Sequence, residues 1–81
     1  MKMHSPNPLR HTHLKEELRL RGASLSQVAA DLGLSPSTVT IVSQGYRRSH
    51  RVQAEIARRL GTTAQALFPE RYPGKEEDVA Q

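Results

Sequence analysis

The chain has 81 residues, with 12 lysines and arginines against 8 aspartates and glutamates, 36% apolar residues and neither cysteine nor tryptophan. One small domain of this size buries only ~60% of its unfolded surface, too little for a scaffold plus an enclosed substrate cavity, so an elaborate enzyme is not expected. The lack of cysteine excludes a disulfide frame and a thiolate metal site and suits a reducing cytoplasm, while no stretch approaches a signal peptide or the ~20 apolar residues of a membrane span.

The formal charge of +4 is unevenly placed. Residues 1–69 hold ten bases and four acids, and residues 70–81 hold two bases and four acids. A basic body with an acidic tail is the charge pattern of a nucleic-acid binder, because neutralising phosphates supplies most sequence-independent affinity.

Residues 1–10 contain two prolines and an asparagine and read as a flexible arm, with the first helix expected over about 11–21 around Leu14 and Leu18. Ser24 followed three residues later by Gln27 is a capping-box pattern that opens a second helix over about 25–32, closed by Gly33. Ser35 caps and Pro36 starts a third helix over about 36–44. Val52, Ile56 and Leu60 recur every four residues and define a fourth, and Thr62 or Thr63 caps a short fifth turn through Leu67 and Phe68. Residues 71–81, with Pro73-Gly74 and the run Glu76-Glu77-Asp78, read as a flexible acidic tail. The expectation is an all-α compact bundle of about five short helices, its domain spanning residues 11–70, with a core from Leu14, Leu18, Leu25, Val28, Ala29, Leu32, Leu34, Val39, Val42, Val52, Ile56, Leu60, Leu67 and Phe68.

Two short helices joined across Gly33, the second opened by Ser-Pro, are what a helix-turn-helix requires. Ala29, four residues before Gly33, lets the helices cross closely, and Gly33 supplies the positive φ of a tight turn. Val39 and Val42 put two β-branched side chains on the inner side of the third helix.

From Leu14 to Tyr72 the chain resembles the Ner/Nlp family of small phage and bacterial transcription regulators. The resemblance is carried by RGASLSQVAADLGLSPSTV, by RVQAEIARRLG and by the closing LFPERYP, whose Phe68, Pro69, Glu70, Arg71 and Tyr72 match the aromatic, Pro, short polar link and Arg-Tyr that end the family's domain. It implies a lambda-repressor-like helical fold and sequence-specific duplex DNA binding that modulates transcription, without enzymatic activity or cofactor. Leu9 stands where family members often carry Trp, and Thr40 and Ile41 stand where they often carry larger polar or basic residues, so the target sequence does not transfer.

If Val39 and Val42 point inward, the third helix presents Ser37, Thr38, Thr40, Ile41 and Gln44 outward as candidate base contacts. Gln pairs with adenine through two hydrogen bonds, Ser and Thr bond either base type, and Ile41 meets a thymine methyl. With no Arg or Lys on that face, A/T contacts or indirect readout are favoured over guanine recognition. Candidate phosphate contacts are Gln27, Ser35, Tyr46, Arg47, Arg48 and Arg51. Arg58 and Arg59 are assigned to a solvated face, since Glu55 lies within pairing distance along the helix.

His11 and His13, two apart and without a cysteine or nearby acid, do not make a metal site. No nucleophile turn supports catalysis. The expected reading is a cytoplasmic, nucleoid-associated repressor whose partner is double-stranded DNA, with no membrane and no small-molecule substrate. Two copies on adjacent half-sites are compatible with it, although no long apolar surface demands a stable dimer. The rival is a protein-interaction adaptor on the same scaffold, using Leu20, Ile41 and Tyr46.

Overall fold

A computed structural model describes residues 7–72 as five helices, α1 (Pro8–Leu20), α2 (Leu25–Leu32), α3 (Pro36–Gln44), α4 (His50–Arg59) and α5 (Ala64–Leu67), followed by a closing 3-10 turn, Pro69–Arg71. Every helix begins on a side-chain cap. Asn7, Ser24, Ser35, Ser49 and Thr63 accept from the backbone N–H of Arg10, Gln27, Thr38, Val52 and Ala66 respectively. Each such cap stabilises its helix by roughly 1 kcal/mol, which matters for helices too short to hold in isolation.

The structure corrects three expectations. First, α1 starts at Pro8 rather than near His11. Pro8 occupies the first helical position, where its missing N–H needs no partner, so the residue read as a breaker is a starter. Second, only half of the expected capping box forms, because the Gln27 side chain turns along α2 to donate to Asp31 at 3.1 Å instead of reaching back to Ser24. Third, the chain remains packed past residue 70, with Arg71 buried and Tyr72 half-buried. The rest of the expected arm and tail, residues 1–6 and 73–81, lies outside the described residues.

The core gathers one face of each long helix. Leu14 and Leu18 of α1 meet Leu25, Val28 and Ala29 of α2, Val39 and Val42 of α3, Val52 and Ile56 of α4, and Phe68. Leu32, Leu34, Leu60 and Leu67, expected inside, are only partly buried and pack against the edge of this cluster. Val39 and Val42 have essentially no exposure, and burying each contributes on the order of 1.5–3 kcal/mol. Gly33 turns the chain between α2 and α3 at φ +72°, while the Leu34 N–H returns to the Ala29 carbonyl at 2.8 Å. A residue with a Cβ is strained at that φ, which is why glycine stands there.

α3 is also held at its end. A helix leaves its last carbonyls without internal donors, and here the two ends of the described chain supply them. The Asn7 N–H donates to the Gln44 carbonyl at 2.8 Å, and the Arg71 guanidinium donates to the Gly45 carbonyl at 2.9 Å. Beneath them, His11 Nδ1 and the buried Ser43 Oγ share a 2.8 Å hydrogen bond between α1 and α3. Burial, reinforced by the nearby Lys15, holds the His11 ring below its ordinary pKa.

Candidate nucleic-acid interface

Helix α3 divides along its length. Val39, Val42 and Ser43 face the core, and Ser35, Pro36, Ser37 and Ile41 lie exposed on the other side, with Thr38, Thr40 and Gln44 half-buried between. The capping serine and Thr38 share a hydroxyl hydrogen bond of 3.0 Å, so these two groups are tied together at the leading end of the helix. Thr40 borders a groove between α1 and the start of α2, which Lys15 and Ser26 also line. Ile41 is 37% exposed, an apolar side chain open to contact in an otherwise hydroxyl-bearing face.

Beyond Gly45 the chain reverses, with the Tyr46 N–H donating to the Ile41 carbonyl at 3.1 Å. That turn places Tyr46, Arg47 and Arg48 directly past the end of α3, and Tyr46 is largely exposed. The three arginines of the segment differ. Arg47 makes no hydrogen bond or ion pair among the described residues. Arg48 donates to the Arg71 carbonyl at 3.3 Å, and Arg51 donates to the Leu32 carbonyl at 2.9 Å, at the C-terminus of α2. No carboxylate pairs with any of the three among the described residues. Each of the two braced guanidiniums keeps most of its five N–H donors.

The remaining candidates are distributed differently from the sequence expectation. Gln27 is exposed, and its amide donates along α2 to Asp31, the residue before Leu32, rather than to any residue of the arginine loop. Arg58 is solvated as expected. Arg59 is not, because its side chain is only 16% exposed and bridges Glu55 at 2.7 Å and Asp31 at 2.5 Å, tying α4 to α2. Hydrogen bonds from Arg58 and then Arg59 pull the Glu55 carboxyl down to about 2. Asp31 lies 28 residues before Arg59, and no local spacing signals their pairing.

The sequence also gave no role to the residues behind the loop. Tyr72 Oη bonds His50 Nδ1 at 2.7 Å and accepts from Gln53 Nε2 at 2.8 Å, and Gln53 Oε1 in turn accepts from the Ser49 N–H at 2.9 Å. Gln53 is fully buried with both ends of its amide satisfied, as burial of a polar group demands.

The sequence matches the family described as winged helix-turn-helix DNA-binding over residues 10–81. No curated protein and no solved structure matches it. The match is to the winged helix-turn-helix family and does not by itself name the Ner/Nlp group, and among the described residues the helix-turn-helix is present without a β-strand. An α2–turn–α3 unit fixed by Ala29 and Gly33, an open outer side on α3 and a match that spans nearly the whole sequence agree: the chain belongs to the winged helix-turn-helix DNA-binding family.

Proposed function

We propose that the protein is a non-enzymatic transcription regulator of the bacterial cytoplasm. In this reading it acts as a repressor of the Ner/Nlp kind, occupying operator DNA with α3 in the major groove. The observation that carries the reading is the set of three arginines, without a carboxylate partner among the described residues, immediately past the open face of α3. Ser37, Thr38, Thr40, Ile41 and Gln44 read base edges, and A/T pairs suit their chemistry, since none offers the bidentate cation that guanine favours. Tyr46, Arg47, Arg48 and Arg51 hold the backbone. Two copies on half-sites about one helical turn apart would occupy a palindromic operator.

A salt titration of duplex binding, followed by fluorescence anisotropy, tests this. Three arginine–phosphate contacts give a slope of log K against log salt of at least about −2.7, from ~0.9 per contact. Binding that is absent at low salt, or indifferent to salt, would overturn the reading and favour the adaptor, whose contacts would be the exposed Leu20, Ile41 and Tyr46. Selection from a random duplex library then reports the operator and whether it is palindromic.

A further inference from the structure

The closing segment Phe68–Tyr72 reaches more of the molecule than its length suggests. Arg10, from the first turn of α1, stacks its guanidinium 4.5 Å over the Phe68 ring and pairs with Glu70 at 2.8–2.9 Å. Burial raises the Glu70 carboxyl, yet the hydrogen bond from Arg10, a backbone hydrogen bond and the charges of Arg10 and Arg71 together leave the group below its ordinary range. The Arg71 side chain holds the Gly45 carbonyl where α3 gives way to the loop, and its own carbonyl accepts from Arg48. Tyr72 Oη holds His50 and Gln53 where the loop enters α4, with the His50 and Tyr72 rings edge-on at 5.8 Å. Both ends of the arginine loop, Gly45 and His50, are therefore fixed from behind by two consecutive residues that do not lie on its outer side.

We infer that Arg71 and Tyr72 are positioning residues for the phosphate-gripping loop: they set the strength of duplex binding without touching DNA and without taking part in base choice. The inference rests on the DNA-binding reading above. Its physical basis is that a loop carrying like charges repels itself, and spreads over many conformations unless its backbone is pinned. Pinning it before DNA arrives removes an ordering cost that binding otherwise bears. The segment contributes to the grip through the loop's geometry, since Arg71 is buried and Tyr72 half-buried.

The test uses two replacements that leave net charge unchanged, so that any change in phosphate grip comes from geometry. Tyr72→Phe keeps the ring and removes the hydroxyl, and Arg71→Lys keeps the cation and removes the fork that reaches Gly45. Each should weaken binding to specific and unrelated duplexes alike by about fivefold, the fold-change of roughly one hydrogen bond. The salt slope should become shallower by up to ~0.9, one contact, with the library-selected preference unchanged. A purely structural role moves the thermal midpoint and leaves the slope alone. His50→Ala, which removes the same Tyr72 contact from an exposed side chain, guards against misfolding. Combined with Tyr72→Phe it should cost less than the two changes added together, because they share the His50–Tyr72 bond while Tyr72→Phe alone also loses the bond from Gln53. If both charge-preserving variants bind with the wild-type affinity and slope, or if their slope holds while only the melting point falls, the inference is overturned. A wild-type protein that shows no salt-dependent duplex binding overturns the DNA-binding reading itself, and the inference with it.

Discussion

The two ends of α4 carry arginines under opposite conditions. At its C-terminus Arg58 and Arg59 stand where the helix dipole favours cations, and both are paired with Glu55, Arg59 also with Asp31. At its N-terminus the first turn holds no acid. It holds His50 and Arg51 instead, with Arg47 and Arg48 just ahead, facing the positive end of the same dipole. Each cation so placed costs the helix roughly 0.3–1 kcal/mol. The same charge placed elsewhere would serve solubility equally well. Arg48 and Arg51 offset part of this cost through the Arg71 and Leu32 carbonyls, but no acid among the described residues pairs with them, so an arriving anion would be favoured there. The contrast teaches that the placement of arginines, more than their number, singles out the side proposed to face DNA.

The sharpest way to break this contrast is to remove the N-terminal set. Arg47→Ala, Arg48→Ala and Arg51→Ala together should weaken all duplexes by about a hundredfold to a thousandfold at low salt and flatten the salt slope by ~2.7. The melting temperature should change little, because relief of cations at the positive end of α4 is offset by loss of the Arg48–Arg71 and Arg51–Leu32 bonds. A triple variant that binds like the wild type would remove the loop from the interface.

Smaller changes are expected on α3, where Thr40→Ala or Gln44→Ala should shift preference at one or two base pairs by roughly 1–3 kcal/mol, read by competition between related duplexes, with little change in slope. At the other end of α4, Glu55→Gln should leave DNA affinity alone and lower folding stability by about 1 kcal/mol, measured by urea unfolding. The acid dependence has a definite sign. Because Glu55 is held at about 2 in the folded protein against 4.5 when unfolded, its contribution is complete above pH 4.5 and is lost as the pH falls from there towards 2. Smallest of all, Arg58→Ala removes a cation that is 70% exposed and already paired, so neither the melting temperature nor duplex binding should change measurably. A loss of affinity there equal to that at Arg47 would erase the distinction between the two ends.

The helices were legible because their signals are local: a serine or threonine cap, a glycine stop, and apolar residues at three- and four-residue spacing all act within one turn. Pro8 was misread because the same residue breaks a helix from inside and starts one at its first position, and the sequence alone did not say which. The outer side of α3 was legible by subtraction, once Val39 and Val42 were assigned inward. What escaped notice were bonds to backbone carbonyls far along the chain, from Arg51 to Leu32, Arg48 to Arg71 and Arg71 to Gly45. Every residue carries a carbonyl, so such partners leave no mark in composition or spacing. The Arg59–Asp31 bridge escaped for a related reason, since Glu55 offered a nearer partner that accounted for the charge.

The joining of the two chain ends at α3 also bears on how the domain opens. Asn7 and Arg71 hold consecutive carbonyls, and Arg10 and Glu70 hold each other, across 60 positions of sequence. Fraying of the first turn of α1 therefore strips partners from the closing turn, and the reverse also holds. In hydrogen exchange the amides of these two segments should open as one unit, with a lower opening free energy than the apolar α2–α3 pair. A tether or fused domain that strains either end would be felt first at the last turn of α3, beside Gln44, before it disturbs Val39 or the turn at Gly33.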